Sequence, residues 1–184
     1  MHYRKEQIDS IKIPSQLLGE MISHCHRKLQ GEYLPGEGQS PKAFGLIGGT
    51  VNGTSVEAEI IIPLFKNARE CDEKRGEMDK AMNLHGTPSV TPFDQRGWIA
   101  EQEELDNALQ ILLKKGLRLV GNYHMHRIAW DHDPHRDTPT KIDTVLGCTS
   151  RMFMFIISMV NPEAPVIRAF FEGNNDFEVP VEII

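Results

Sequence analysis

The sequence predicts a mixed α/β (α+β) fold, a single domain in which helices flank a curved mixed sheet of about six strands. Three observations predict this class. The length of 184 residues suits about one domain. The contents of 40% hydrophobic and 25% charged residues are typical of a soluble globular protein. Segments with helical and with strand periodicity follow one another in mixed order, which favours helices packed against a sheet. We therefore expect residues 1–184 to form one domain.

Three segments have the apolar spacing of amphipathic helices. The first covers 13–30, and Pro14 stands near its start, where the missing N–H costs little. The second runs from about 93 or 98 to 115 and ends at a Lys-Lys-Gly stop signal. The third is a short helix over 140–148.

Six segments have the composition of strands. The first two are separated by Asn52-Gly53, a dipeptide typical of a tight hairpin turn. We therefore expect these two strands to pair directly. The predicted strands cover 43–51, 56–65, 117–126, 151–160, 165–172 and 177–184.

Two segments interrupt this pattern and are predicted to be inserted loops, 69–92 and 127–139. In the first, no period persists, and charged residues, glycine and proline dominate. So long an irregular stretch is uncommon in a compact domain, and we interpret it as a surface excursion. The second is rich in aspartate and histidine, and we interpret it as a solvated acidic loop.

Composition and charge exclude several classes of function. The net charge of −6 argues against nucleic acid as a partner, since duplex binding needs a clustered basic face. The longest apolar stretches, such as 152–160, are far shorter than the roughly 20 residues that span a bilayer. The N-terminal sequence MHYRKEQIDS lacks the apolar region of a signal peptide. Three widely separated cysteines indicate free thiols in a reducing compartment, so we predict a cytoplasmic protein without a membrane partner.

The most informative segment is the histidine pair His124 and His126 on a predicted strand. Residues two apart on a strand point to the same face. Their imidazoles start about 6 to 7 Å apart at the backbone, by the strand rise, and can converge on one cation. The pair therefore allows two interpretations: a metal site completed by a carboxylate or thiolate from elsewhere in the chain, or two partly buried polar side chains without a metal.

A second pair with the same spacing, His24 and His26, falls on the predicted first helix. At 100° per residue their rings diverge by about 200°, so they cannot share a metal within one chain. We interpret this pair as having no metal-binding role, with one side chain exposed and the other lateral.

Asp143, at the start of the short third helix, is a candidate for the carboxylate ligand. The sequence Thr140-Lys141-Ile142-Asp143 allows two interpretations. Asp143 could return its carboxylate to the histidines, or Thr140 and Asp143 could form a capping box that satisfies backbone N–H groups. Local sequence leaves both open and favours the cap.

The order of these elements resembles that of the JAMM (MPN-plus, JAB domain) zinc metallopeptidases over most of the chain, from about 17 to 171. In that family a glutamate precedes a Gly-Leu-Leu-Leu-Gly-like strand, and H-x-H and S-x-x-D follow. The corresponding residues here are Phe-Gly-Leu-Ile-Gly-Gly at 44–49, the pair His124 and His126, and Thr140 with Asp143.

The resemblance implies a JAMM/MPN fold of cytidine-deaminase-like architecture. It implies that His124, His126 and Asp143 bind zinc, and that Thr140 replaces the serine that stabilises the tetrahedral oxyanion. The implied reaction is metal-assisted hydrolysis, in which zinc activates water and polarises the scissile carbonyl of an amide or isopeptide bond.

Two departures affect the site itself. Lys42 occupies the position of the family's glutamate, and an ammonium group cannot accept a proton from zinc-bound water. Glu37, in the preceding glycine-rich loop, is a replacement if that loop folds back. Sixteen residues separate His126 from Asp143, more than in the family. Asp137 stands at the family distance, but Pro134 then takes the serine position, so we prefer Asp143.

Further departures lie in the two insertions. Arg127 follows the second histidine where the family has proline. The loop after it could also act as a substrate-gating flap or supply additional metal ligands. The segment 69–92 falls where family members carry a partner- or substrate-contacting insertion. Five acidic or histidine residues are concentrated in the later loop: Asp131, His132, Asp133, His135 and Asp137.

Two functions are therefore predicted. The first is a zinc-dependent hydrolase of JAMM type that cleaves an amide or isopeptide bond in a protein or peptide, including a ubiquitin-like conjugate. The second, motivated by Lys42, is a non-catalytic MPN-like scaffold or binding module. The sequence leaves open whether the chain forms a homo-oligomer or joins a larger complex.

Overall fold

The computed structural model describes residues 8–184, except for the side chains of Glu70, Asp72 and Glu73. Eight strands and four α-helices alternate along this part of the chain. In chain order they are β1 (Ser10–Ile13), α1 (Ser15–Gln30), β2 (Phe44–Asn52), β3 (Ser55–Pro63), α2 (Asp72–His85), α3 (Gln102–Lys114), β4 (Arg118–His126), α4 (Lys141–Gly147), β5 (Phe153–Ser158), β6 (Val166–Phe171), β7 (Glu178–Val179) and β8 (Val181–Ile183).

All eight strands join one mixed sheet in the order β7-β6-β5-β4-β2-β3-β1-β8. β4 pairs in parallel with β5 and antiparallel with β2. The sheet curves so strongly that β6, near one end, contacts β8 at the other. The predicted α+β class and curved mixed sheet are confirmed. The predicted hairpin is also present, since β2 and β3 pair through the turn at Asn52-Gly53.

The prediction of about six strands was wrong, and two local features explain the difference. Pro180 divides the predicted strand 177–184 into β7 and β8, which pair at opposite ends of the sheet. Proline has no N–H to donate to a strand ladder, so it favours such a break. β1 adds a further strand. Its Ile11 and Ile13 are fully buried, whereas we had assigned Ile13 to the first helix.

Helices α1 and α3 cover opposite faces of the sheet. Ile47 of β2 belongs to the core that includes Met21 of α1. Its neighbour Leu46 packs instead with Ala108 of α3, because adjacent strand residues alternate between faces. α1 ends at Gly31, whose left-handed φ of 75° closes the helix. Both predicted helices are therefore present, although α3 begins later than expected, at Gln102.

Helix α2 lies within the segment 69–92 that was predicted to be an inserted loop, so this prediction was wrong. Few of its side chains are buried, which is why the helical period does not show in the sequence. Met78 and Met82, one turn apart, are its buried apolar side chains and form a small core with Ile142 of α4. The helix is thereby held against the element that carries Asp143. The other insertion, 127–139, contains a single bridge between Trp130 and Asp133.

A glycine allows β2 to lie close to β4 at the centre of the sheet. Gly45 of β2 is paired with Tyr123 of β4, and a Cβ at position 45 would overlap the tyrosine ring. The tyrosine is completely buried. Glycine therefore makes room for an aromatic ring on the α1 side of β4, the face opposite to the predicted metal ligands.

Within residues 8–184, no helix combines the length and the apolar content that crossing a bilayer requires.

Candidate metal centre

The histidines of β4 converge as the strand period predicts. The Nε2 atoms of His124 and His126 lie 3.1 Å apart, and both rings point to the same side of the sheet. The two residues occupy a central strand, paired on both sides with β2 and β5. Their positions are therefore fixed by backbone hydrogen bonds rather than by a loop.

Asp143 completes a group of three possible metal ligands. Its Oδ1 lies 3.5 Å from Nε2 of His124, and its Oδ2 lies 3.6 Å from Nε2 of His126. Among the described residues, these three side chains form the one group of histidine, cysteine or acidic residues whose ligand atoms lie close enough to hold a metal ion. Bonds of about 2.0–2.1 Å in a tetrahedral zinc site place its ligand atoms about 3.4 Å apart. The observed separations fit that spacing.

A hydrogen bond on the far side of His126 directs its Nε2 toward this group. Nδ1 of His126 lies 3.0 Å from the carbonyl oxygen of Arg136, so Nδ1 carries the proton and Nε2 keeps a free lone pair. Such bonds to the second ring nitrogen orient metal-binding histidines. Arg136 has a left-handed φ of 52°, which turns its carbonyl back toward the strand. Ser158 of β5 also anchors this loop, by donating a hydrogen bond to the carbonyl of His135.

His124 is held by aromatic packing. Its ring stacks on Phe44 of β2 at a centroid distance of 6.2 Å and an interplanar angle of 12°. Phe44 stacks in turn on Trp98 at 5.8 Å. Trp98 precedes α3, so the aromatic row connects the metal-ligand strand to the segment after α2.

Asp143 acts as both helix cap and potential ligand. Its Oδ2 accepts hydrogen bonds from the backbone N–H of Thr140 at 2.7 Å and from the Thr140 hydroxyl at 2.6 Å, as part of a capping box at the start of α4. The two interpretations that the sequence left open are thus compatible. The cap holds the carboxylate in the orientation that faces the histidines.

The protonation states of His124 and Asp143 favour the binding of a cation. Burial lowers the pKa of His124 to about 4, although the Asp143 charge opposes this shift, so the ring is neutral at pH 7 and can act as a ligand. Burial would raise the pKa of Asp143, but the neighbouring histidines and the Thr140 hydrogen bond outweigh it and hold that pKa well below its usual range. The centre therefore offers the neutral imidazole of His124 and the carboxylate of Asp143, with Nε2 of His126 beside them.

The three side chains line a cavity of about 300 Å³, which we call the central cavity. Its walls come from β2, β4 and α4, and also from the segment 82–98. Aromatic and aliphatic groups make up much of the lining, with several basic side chains among them. This volume is at the lower end of the range for small-molecule sites.

The structure separates the alternatives that the sequence had left for the third ligand and the base. Asp137 forms an ion pair with Arg168 at 3.2 Å and does not belong to the metal-binding group. Glu37 is buried on the other side of the sheet, where Arg27 binds its carboxylate at 2.5 Å, so it cannot replace the missing base. Lys42 lines the central cavity and donates a hydrogen bond to the carbonyl of Gly97 at 3.3 Å.

The remaining predictions for individual residues have mixed outcomes. His24 and His26 do not share a site, as expected, but His24 is only 5% exposed rather than exposed or lateral. The acidic and histidine residues of the loop 127–139 contribute no ligand to the group of three. The Thr140 hydroxyl donates its one proton to Asp143. Its role as an oxyanion donor stays a prediction.

The sequence analysis did not identify the cavity residues that follow the segment 69–92. Arg96 and Trp98 line the cavity, yet they lie where the sequence predicted only the start of the second helix. A signal is visible in retrospect in the run Phe-Asp-Gln-Arg-Gly-Trp at 93–98, where aromatic and basic residues surround a glycine. Gly97 has a left-handed φ of 85°, which favours glycine at that turn.

Comparisons with known proteins extend the description of the fold. No family model matches the sequence, and no curated protein matches it at a significant level. Solved structures do match. Among them is the solution structure of protein DSY2949 from Desulfitobacterium hafniense, which is 20% identical, with a TM-score of 0.60 over 95% of this chain and 92% of that one. At this identity the likeness shows a shared fold and no more.

Proposed function

We propose that this protein is a zinc-dependent hydrolase of JAMM type that cleaves an amide or isopeptide bond in a protein or peptide. The observation that carries the proposal is the convergence of His124, His126 and Asp143 beside the central cavity. Two imidazoles and one carboxylate form a common ligand set of catalytic zinc, in which a fourth position stays open for water or substrate.

The residues of the chain would have distinct tasks. His124, His126 and Asp143 would hold the zinc, which when bound lowers the pKa of a water molecule and polarises a carbonyl. Arg136 fixes the tautomer of His126 through its carbonyl. Thr140 positions the Asp143 carboxylate. The aromatic wall formed by Phe44 and Trp98 would exclude bulk water from the reacting groups.

A second function is favoured by the identity of the charged groups in the cavity. Among the described residues that line it, Asp143 is the sole carboxylate, and Lys42 occupies the position of the family's glutamate. A general base that accepts the proton from water is therefore not supplied by a second acid. The alternative function is a non-catalytic MPN-like module that retains the scaffold and the metal group and binds a partner.

The three free cysteines support a reducing environment. Cys71 and Cys148 are exposed and Cys25 is buried. Exposed thiols persist where disulfide formation is suppressed. We accordingly infer a cytoplasmic location.

The principal test compares zinc-loaded wild type with Asp143→Asn, and uses Asp137→Asn as the matched control. Substrates are fluorogenic peptide amides and isopeptide-linked ubiquitin-like conjugates. Wild type and Asp137→Asn are expected to release product, whereas Asp143→Asn should be at least about 100-fold slower, because it loses a charged ligand. Equal rates for wild type and Asp143→Asn, or turnover by none of the three proteins, would refute the hydrolase.

The variant Lys42→Glu discriminates between the two functions. If the wild type is a module without a base, restoring a carboxylate should raise the hydrolysis rate by about 100-fold or more. A wild type that turns over as fast as Lys42→Glu argues against the module. Zinc content measured on both proteins shows whether the substitution has disturbed the metal group.

A further inference from the structure

The central cavity is positively charged, although the chain as a whole has a net charge of −6. Asp143 is its sole carboxylate within the part of the chain that the structure describes. A concave surface with one sign of charge and partly apolar walls focuses the field and attracts ligands of the opposite sign. The basic side chains of its lining are Lys42, Arg96, Arg127 and Arg136.

Two of these arginines are positioned on the same indole ring. The Arg136 guanidinium lies 3.5 Å from the Trp130 ring centroid, and that of Arg96 lies 5.2 Å from it. Arg96 also contacts the Phe93 ring at 5.3 Å. Guanidinium groups stack well on aromatic faces. Nη1 of Arg96 also donates to the carbonyl of Thr87 at 2.5 Å, and Nη1 of Arg136 donates to Asp133, so each guanidinium has further N–H groups left for an anion. The two arginines therefore form a preorganised pair rather than two mobile surface chains.

The hydrogen bonds of this pair are incomplete. Arg136 is only 6% exposed, and its Nη1 donates to Asp133 at 3.2 Å, but its buried Nε has no partner among the described groups. Burial and the adjacent Arg136 charge lower the pKa of Arg96, which reflects the cost of holding two cations together. Asp133 forms an ion pair with Arg136, and an anion bound in the cavity would offset the positive charge that remains.

We propose that Arg96 and Arg136, stacked on Trp130, form a carboxylate-binding subsite that selects peptide-like ligands with a carboxylate close to the amide at the metal group. This inference rests on the proposed function for the statement that the amide is cleaved, but the carboxylate binding itself requires no metal. Both guanidinium groups act electrostatically on Asp143, so the subsite and the metal group belong to one cavity. A carboxylate is supplied either by a peptide C-terminus or by an acidic side chain.

The test measures ligand binding to metal-free protein by calorimetry. N-acetyl-L-phenylalanine and its carboxamide form one matched pair, which differs only in the main-chain carboxylate. N-acetyl-L-glutamic acid α-amide and N-acetyl-L-glutamine amide form the second pair, for the side-chain carboxylate. In at least one pair the acid is expected to bind about 10- to 100-fold more tightly than the amide, the range of a charge-assisted hydrogen bond. The pair with the larger ratio identifies the source of the carboxylate.

Arginine variants assign the preference to the subsite. Arg96→Gln should reduce the acid-to-amide ratio to near one while leaving the affinity for the amide unchanged, which a general loss of structure would not do. Arg136→Gln should act likewise, with its melting temperature recorded because Arg136 also orders the loop. The control is Arg118→Gln, an exposed arginine of β4 outside the cavity. An equal affinity of acid and amide, no binding of any probe, or an unchanged ratio in Arg96→Gln would overturn the proposal.

The failure of this inference is separable from that of the hydrolase. Carboxylate-selective binding without hydrolysis would support the subsite and refute the hydrolase, so that the protein would be a binding module. Hydrolysis without any preference for ligands that carry a carboxylate would support the hydrolase and refute the subsite.

Discussion

The chain contains H-x-H twice, once on a strand and once on a helix, and the two pairs differ completely in their surroundings. In β4 the Nε2 atoms of His124 and His126 lie 3.1 Å apart. In α1, His24 is buried with its Nδ1 2.9 Å from the Tyr123 hydroxyl, while His26 remains partly exposed. The same spacing therefore gives a shared site only where the backbone period is two residues.

The two pairs lie on opposite faces of the sheet, and each is close to a carboxylate that is at least partly buried. On one face, Asp143 stands next to the imidazoles of His124 and His126. On the other, the Glu37 side chain has no exposed surface, yet it meets Arg27 at 2.5 Å and Lys28 at 3.4 Å. Buried carboxylates need compensating charge. Glu37 has cations of its own chain, and Asp143 is placed to share an external one.

The largest effect is expected when a member of the strand pair is removed. Structural zinc binds with about 10–16 kcal/mol over four ligands, so one ligand accounts for roughly 3–4 kcal/mol. His124→Ala should therefore weaken zinc binding several hundredfold. The measurement is a competition titration against a chromogenic chelator.

His26→Ala is the matched control for this prediction, because it changes the partly exposed histidine of the helical pair. It should bind zinc as the wild type does. An equal loss of zinc in both variants would contradict the distinction between strand and helix.

On the face of the sheet that α1 covers, Glu37→Gln should lower the free energy of unfolding by about 3 kcal/mol. Removal of one member of a buried ion pair leaves an uncompensated charge. Lys28, only 1% exposed, and Arg27 would lose their counter-ion. Denaturant unfolding measures the change. Zinc stoichiometry should stay unchanged, because Glu37 lies on the other face; a variant that lost zinc would show that the two faces are coupled.

The pH dependence of stability sharpens the same comparison. Burial lowers the pKa of His24 to about 4, with the cations Arg27 and Lys28 adding to the shift and Glu37 opposing it. The unfolded chain then binds a proton below about pH 6.5 that the folded chain does not bind. Stability should accordingly fall as the pH decreases from about 6.5 to 4.

Unfolding of metal-free wild type and His24→Gln across this range checks the sign. The variant should have the shallower slope. His124 contributes in the same direction, since its pKa is also about 4, and this part of the slope should remain. Parallel curves for the two proteins would show that His24 does not contribute.

The sequence predicted the elements whose side chains are buried in a regular pattern. Strand β4 and the convergence of His124 and His126 followed from a period of two, whereas Asp143 as the third ligand came from the family resemblance. Helix α2 could not be predicted in this way, because Met78 and Met82 supply too few apolar positions to define a period. The local sequence could not distinguish a helix cap from a metal ligand at Thr140 and Asp143. The geometry of the capping box is compatible with both roles.

The cavity residues depended on contacts distant in sequence. Arg96, Trp98 and Arg136 come together only when the segment after α2 and the loop after β4 meet over the sheet. The sequence predicted the start of the second helix near 93–98 and a solvated loop over 127–139, so neither segment was expected to line a cavity. Glu37 was misjudged for a related reason: its partner Arg27 lies on a helix whose buried face could be predicted, but whose ion pair with the following loop could not.

The smallest effect is expected at the cap that orients Asp143. Thr140→Ala removes the hydroxyl that donates to Oδ2 at 2.6 Å and keeps the carboxylate itself. Loss of such a supporting hydrogen bond typically costs 10- to 100-fold in metal affinity, and we expect about 10-fold because the backbone N–H of Thr140 still binds Oδ2 at 2.7 Å. Thr140→Ser should restore the affinity, whereas Thr138→Ala, two residues before the cap, should leave it unchanged. If Thr140→Ala bound zinc as tightly as the wild type, the strand pair alone would set the affinity, and the capping box would be only a helix start.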